Sequence, residues 1–407
     1  MKPTRAILFL FIIPLVSLTS CLFSPIRTEH AIFLFDNGEK NMVSSMLKYA
    51  EQHDKARLDN LDFRIIFMGA SVDAMTQEPF CHYKNKLIHY KNLGIQETID
   101  NTWKRDRALS EESMQKLYNN FRVTKKIWTG VSCSIFGQIF EKYHDRTSLE
   151  TVALRDNPNP QGDTDYFIVA DDVQSKASTV AVPSQLCAQS TTLKDKQVTI
   201  IGHPPTEEWL ETAQHVDKDM LIKQLGLNPH LPIIVYAGVY GDFYEHCFKL
   251  FLAMIQDEQF TPLQAQILIA PHPRYKGIVE KKLCSELRHN AEKLLIVGEW
   301  EEEKAKKIKT VEALALADLV ITADATSTVV TQAKALKKEV VHINPAPSKV
   351  SDELAQKRVL QRVADPGALI KIIKNLGTTK NSDKEDIFQL LGIPRNGAQL
   401  LWENFIG

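Results

Sequence analysis

The sequence predicts an α/β protein, two doubly wound parallel-sheet domains facing a cleft, and three observations carry this. From His30 onward, short β-branched or aliphatic runs alternate with segments of helical periodicity. That series stops at a stiff connector, His203-Pro204-Pro205-Thr206, which leads into a polar helix to about Leu225. A second alternating series then opens at Pro232. Alternation of this kind gives parallel strands joined by right-handed crossovers. A length of 407 residues leaves room for both halves.

In the first half, Ala31 to Phe35 reads as a strand, Asp36-Asn37-Gly38 as a turn, and Glu39 to Gln52 as a helix. Met42, Met46, Leu47 and Tyr49 give that helix its apolar spacing. Phe63 to Met68 is a strand ending at Gly69, and Lys86 to Tyr90 is a weaker one. Ser110 caps a helix to Phe121, whose first turn holds Glu111 and Glu112 at the positive end of the helix dipole. Lys126 to Gly130 feeds the helix Ser134 to Tyr143. Thr151 to Leu154, Phe167 to Ala170 and Val198 to Gly202 complete the series as strands.

The second half places strands at Ile233 to Ala237, Gln266 to Ala270, Leu294 to Val297, Leu319 to Thr322 and Val340 to Ile343. Between them, Glu299 to Lys309 is dense in charge. Its Glu302/Lys306 and Glu303/Lys307 spacings predict a solvated helix face. Asp383 to Gly407 reads as two short helices. The expected domains are 30–206 and 207–375, followed by terminal helices over 376–407.

The N-terminus predicts export. Lys2 and Arg5 precede an apolar stretch, Ala6 to Leu18, which is shorter than the roughly 20 residues of a membrane span. It ends in Leu18-Thr19-Ser20-Cys21, small residues before a cysteine, which resembles the lipobox of a bacterial lipoprotein signal. Residues 1–20 are then the signal peptide, Cys21 the acylated residue, and 21–29 a tether. An uncleaved signal anchor is the alternative, and both readings export the rest of the chain. The acyl chains would hold it to a membrane. The expected location is the bacterial cell envelope, with the outer membrane or periplasmic side favoured by Leu22 after the cysteine.

Composition narrows the function. With 44% hydrophobic and 24% charged residues the chain has enough apolar material for a core. Lys+Arg at 49 against Asp+Glu at 50 gives a net charge of −1, which lacks the basic excess of a nucleic-acid binder. Six cysteines in so long a chain are no disulfide framework. Cys133, Cys247 and Cys284 fall in helical patterns and read as buried small hydrophobes. The histidines show no metal-binding spacing, so neither a structural zinc nor a cofactor is expected.

In open α/β sheets ligands bind beyond the carboxyl ends of the strands, and these ends hold the candidate residues. Gly238 and Gly241 follow the first strand of the second half, where they allow close backbone approach to a ligand or form a plain turn. Pro271-His272-Pro273-Arg274 follows the next, with His272 and Arg274 suited to an anion. Glu299 and Trp300 end the third and suit a nucleobase, or an aromatic packed on its loop. Thr326, Ser327 and Thr328 stand where the fourth strand enters a helix. That position suits a phosphate, and Thr326 or Ser327 is equally a helix cap.

Pro-His-Pro-Arg followed by Ala-Asp-Leu-Val-Ile-Thr-Ala-Asp-Ala-Thr-Ser-Thr resembles the donor half of GT-B glycosyltransferases, closest in motif to bacterial transferases with CMP- or CDP-activated donors such as sialyltransferases. The resemblance implies that His272-Pro273 and Ser327-Thr328 face the donor phosphate. It also implies that the terminal helices cross back to the first half, and that a nucleotide sugar or related phosphate ligand lies in the interdomain cleft. The same superfamily includes nucleotide-sugar 2-epimerases. It further implies an acidic catalytic base in the first half, where Asp36-Asn37-Gly38 is an imperfect version of the sialyltransferase acidic-acidic-Gly motif. Asp36 would deprotonate an acceptor hydroxyl, or else merely forms the turn. Asp171-Asp172 is the other acidic pair, without the glycine. Nucleotide sugars are expected in the cytosol, so an exported chain implies an unusual donor or a glycan- or nucleotide-binding lipoprotein without catalysis.

Overall fold

The computed structural model describes residues 26, 28–100, 107–160, 162, 165–239, 243–260, 262–273, 275–287, 289–343, 348–376 and 385–407. The expected signal peptide, residues 1–20, and Cys21, Gly241 and Arg274 lie outside the described residues.

The first sheet contains β1 (His30–Leu34), β2 (Phe63–Phe67), β3 (Leu87–His89), β4 (Lys126–Thr129), β5 (Glu150–Leu154), β6 (Thr179–Val182) and β7 (Gln197–Ile200), in the order β3-β2-β1-β4-β5-β6-β7. The second contains β8 (Ile233–Ala237), β9 (Gln266–Ala270), β10 (Leu294–Ile296), β11 (Leu319–Thr322), β12 (Glu339–Ile343) and β13 (Gln361–Val363), in the order β10-β9-β8-β11-β12-β13. Every pairing is parallel; Ile32 stands opposite both Ile65 and Trp128, and Val235 opposite Leu268 and Val320. Strands covered on both faces read as continuous apolar runs, and Ile32 to Leu34 and Ile233 to Ala237 are all buried. In each sheet the strand order reverses once, between β1 and β4 and between β8 and β11.

The structure corrects the sequence expectations at several places. Phe167 to Ala170 belongs to the helix Asp165–Lys176, whose Phe167, Ala170 and Val173 are fully buried at helical spacing. A four-residue apolar run fits either period, and here the long-range packing decides. The strand at that place in the sheet is β6, which the reading passed over together with the short edge strand β13. The charged run forms no helix beyond the single turn Lys304–Lys306; within it Lys306 pairs with Glu303 at 2.6 Å, three residues apart, and Glu301 pairs outside it with Lys281 at 2.9 Å. The polar helix to Leu225 is two helices, Pro204–Gln214 and Lys218–Gln224. Cys133 precedes its helix as the N-cap residue rather than lying within it, and Cys284 is only half-buried.

The last helix, Gly397–Ile406, packs on the first sheet. The Phe405 ring lies 4.8 Å from that of His30, 5.8 Å from Trp128 and 6.1 Å from Phe63, while Trp402 Nε1 donates to Asp54 Oδ2 at 3.0 Å. The preceding helix, Ile387–Leu391, buries Ile387, Phe388 and Leu391 in the core of the second half. The terminal segment therefore ties both halves together. Among the described residues no helix is long and apolar enough to cross a membrane.

Candidate functional site

Three carboxylates gather at the carboxyl edge of the first sheet. Asp36 follows β1 and caps the helix Asn37–His53, its Oδ1 accepting from Gly38 N at 2.6 Å. The helix thus starts before Glu39, because Asp36 and Glu39 form a capping box that consumes the expected turn. Glu39 is fully buried at the strand-order reversal and spans it. Its Oε2 accepts from Phe35 N (2.9 Å) and Asp36 N (3.3 Å), while its Oε1 accepts from Ser132 N (3.0 Å) and Ser132 Oγ (2.5 Å) beyond β4. Gly130 makes room for it: a Cβ there would lie 1.7 Å from Glu39 Cδ. Burial, then the charges of Asp36 and Asp156, push Glu39 up to about 8, against the hydrogen bonds from Ser132 and Phe35.

Asp156 follows β5 and completes the cluster. Tyr166 Oη donates to its Oδ1 at 2.5 Å, and its Oδ2 occupies the place a side chain at Gly38 would need, 1.7 Å from an added Cβ. Burial, then Asp36, push Asp156 up to about 6. Its carbonyl is held by His203 Nε2 at 2.8 Å, and Thr206 Oγ1 lies 2.7 Å from the other ring nitrogen. Burial holds His203 down at about 4, so the ring is neutral at pH 7. The connector read from the sequence as merely stiff thus helps to fix the acidic loop.

From Asp156 the loop runs straight into the other half. Buried Arg155 braces it from within, donating to Asn157 O at 3.1 Å and Asn159 O at 2.6 Å. Asn157 Nδ2 and Asn159 Nδ2 each donate to Thr326 O at 2.9 Å. Asn159 also reaches Ser327 O at 3.3 Å and accepts from Thr331 Oγ1 at 3.1 Å. The acidic edge of the first sheet and the turn after β11 are therefore joined by one hydrogen-bonded loop.

On the second side, Ser327 caps the helix Thr328–Ala335, its Oγ accepting from Val329 N at 3.4 Å, and half-buried Thr328 opens the helix. Asp324 takes both Thr326 donors, the backbone N–H and the hydroxyl, each at 2.7 Å. Burial raises Asp324 above the ordinary carboxylate range, while those two bonds pull it down. Thr326 is thus committed to Asp324, while the Ser327 and Thr328 side chains stand at the opening of this helix.

The remaining candidates spread along the same edge. A Cβ on Gly238 would meet His272 N at 2.6 Å and Pro271 Cα at 2.9 Å. The glycine therefore lets the loops after β8 and β9 touch. His272 is half-buried beside it, its carbonyl accepting from Tyr275 N at 2.9 Å. Trp300 covers Gly298, whose added Cβ would fall 2.3 Å from Cζ2, so the indole packs on its own loop while Glu299 stays exposed. Asp171 and Asp172 sit in the helix Asp165–Lys176, away from any strand end, with Asp172 Oδ2 bonded to Lys176 Nζ at 2.9 Å.

The sequence reading missed Glu39, Asp156, Tyr166 and the Asn157/Asn159 pair. The strand-end rule would have found Asp156, and the three-residue step from Asp36 to Glu39 is a capping-box signal. No sequence signal marks Tyr166 or the reach of the asparagines into the other half.

No protein-family model matches the chain, and no curated protein does. Among solved structures it is similar to the UDP-GlcNAc 2-epimerase of Methanocaldococcus jannaschii in complex with UDP-GlcNAc and UDP. The TM-score is 0.59 at 14% identity, covering 93% of this chain and 99% of that one. The UDP-N-acetylglucosamine 2-epimerase of Rickettsia bellii aligns with a TM-score of 0.59 at 10% identity over 93% and 95% of the two chains. The S. aureus MnaA structure with UDP aligns with 0.56 at 10% over 91% and 94%. These likenesses show the fold, the two-domain GT-B type.

Proposed function

We propose that the chain binds a nucleotide-activated sugar, or a related phosphate ligand, in the cleft and acts on it as a glycosyltransferase-like enzyme. One observation carries this reading. The loop Arg155–Asn159 brings a carboxylate of the acidic cluster next in sequence to the residue that grips the turn opening the helix Thr328–Ala335. An acid–base centre and an anion-receptive helix end are then joined by one loop, at the reversal points where such sheets take their ligands. Support for a nucleotide sugar comes from the two fold neighbours that carry UDP or UDP-GlcNAc.

In this reading Ser327 and Thr328 hold the phosphate, with His272 along the same edge, Arg274 two residues on in the sequence as a further donor, and Glu299 toward the base. Asp36, the half-buried member of the cluster, takes the proton from the acceptor hydroxyl as that oxygen bonds to the anomeric carbon. The bond from that carbon to the phosphate oxygen breaks, and its electron pair leaves on the nucleotide. Asp156 and Glu39 stand beside it as buried carboxylates. The same pair, raised to about 6 and about 8, also suits a proton shuttle, the need of a 2-epimerase. Cys21 carries the lipid that holds the protein in the envelope.

The test is incubation of the full chain with UDP-, CMP- and CDP-activated sugars, following free nucleotide, transferred sugar and epimer. Nucleotide release that needs an acceptor supports transfer. Conversion to an epimer without acceptor supports the second enzyme class, and binding without either supports a glycan- or nucleotide-binding lipoprotein. Radiolabelled palmitate should enter the wild type and not Cys21→Ala; equal labelling of both would remove the anchor.

A further inference from the structure

A cavity of about 260 Å³ lies beside the acidic cluster, between the helix Asn37–His53, the segment Gln77–Phe80 and the helix Pro204–Gln214. Its lining mixes donors and acceptors around an aromatic face: Lys40, Asn41, Ser44, Gln77, Glu208 and Trp209. Among the described residues, the half-buried Lys40 and Trp209 and the buried Ser44 make no side-chain hydrogen bond, and Asn41 and Gln77 present their amides at the exposed rim. Lys40 forms no ion pair there, while Lys48 is neutralised by Glu208 at 3.1 Å. Asp36 and Asp73 act on Lys40 electrostatically, so the site carries no net positive excess that would select an anion. Amides and a hydroxyl that both give and accept hydrogen bonds, beside an indole, match a ring that presents hydroxyls on its rim and C–H groups on its face.

We propose that this cavity is a binding subsite for one neutral, hydroxyl-rich sugar ring, with Trp209 beneath its apolar face and Asn41, Ser44 and Gln77 on its hydroxyls. Asp36 caps the helix that carries Lys40, one turn before it, and acts on it electrostatically, so a ring held here lies on the side of the proton acceptor. Its assignment as the acceptor's ring rests on the transfer reading above; the recognition of the ring does not.

Saturation-transfer NMR tests it, on the full chain in a detergent without a sugar headgroup, with methyl hexopyranosides of gluco, galacto and manno configuration as probes. At least one should receive saturation at its ring protons. Asn41→Ala with Gln77→Ala, both at exposed positions, should weaken it at least tenfold, and Trp209→Phe should weaken it less than Trp209→Ala. Inorganic phosphate should not displace it. The UDP affinity of the double variant, measured in the same sample, should stay within twofold of wild type. No saturation of any probe, an unchanged signal in the double variant, or displacement by phosphate would overturn the subsite. Loss of UDP binding in wild type with the sugar signal intact would count against the nucleotide reading alone.

Discussion

The carboxyl ends of β1 and β8 hold equivalent places in the two halves. Each lies at the reversal of strand order in its sheet, and each is followed by a helix. Their chemistry is opposite. Around β1 the fold collects Asp36, Glu39 and Asp156 and buries the last two, which rise to about 8 and about 6. Around β8 and β11 it collects hydroxyls, with Asp324 bonded to the Thr326 donors beside it. One architecture thus carries a carboxylate-rich end and a hydroxyl-rich end, and the difference comes from a few loop residues. Predictions follow from setting these ends against each other.

The largest effect belongs to the acidic end. Asp36→Asn should lower turnover by about 10²–10⁴-fold, the usual weight of a general base. Asparagine caps a helix as well as aspartate, so the thermal midpoint should move little. Steady-state kinetics beside a thermal melt decides this. Activity within a factor of three of wild type would move the base elsewhere.

The joint between the two ends comes next. Asn159→Ala removes its amide bonds to Thr326 O, Ser327 O and Thr331 Oγ1 from a fully buried position. Stranded buried polar groups cost about 1–3 kcal/mol each. Urea denaturation should show a loss on that scale, and heat unfolding should begin to separate into two steps. A single transition unchanged in midpoint would mean that the loop is not the latch described here.

A smaller effect is expected from pH. Glu39 has a folded pKa of about 8 against an ordinary 4.5, so the folded protein holds this proton more tightly than the unfolded chain. The resulting stability is complete below the unfolded value and fades as pH rises toward 8. Glu39→Gln does not titrate. Its melting temperature relative to wild type should therefore climb between pH 6 and 8.5, by at least about 2 °C, as roughly 1 kcal/mol gives in domains of this size. A flat or falling difference would show that Glu39 is ionised in the fold. His203 runs the other way: neutral when folded, it adds stability that is lost as pH falls from 6.5 toward 4.

The two ends also differ in how far the sequence disclosed them. Ser327 at a strand-to-helix entry was legible because capping is local, and Asp36 because it follows a strand. Asp156 and Asn159 were not, because their roles depend on a partner about 120 residues from the one and about 170 from the other in the chain. The alternation of elements gave the two sheets, yet it misplaced Phe167, whose apolar run suits a helix or a strand equally. Gly238 shows the converse. A glycine read as making space for a ligand makes space for the neighbouring loop at His272.

Calorimetric titration of the full chain with uridine and cytidine nucleotides tests the division most directly, comparing wild type, Ser327→Ala and Asp36→Asn. The account predicts that wild type binds at least one of them, that Ser327→Ala weakens it about fivefold to tenfold (about 1–1.4 kcal/mol), and that Asp36→Asn leaves it within twofold. No nucleotide binding by wild type, or a loss in Asp36→Asn as large as in Ser327→Ala, would contradict it.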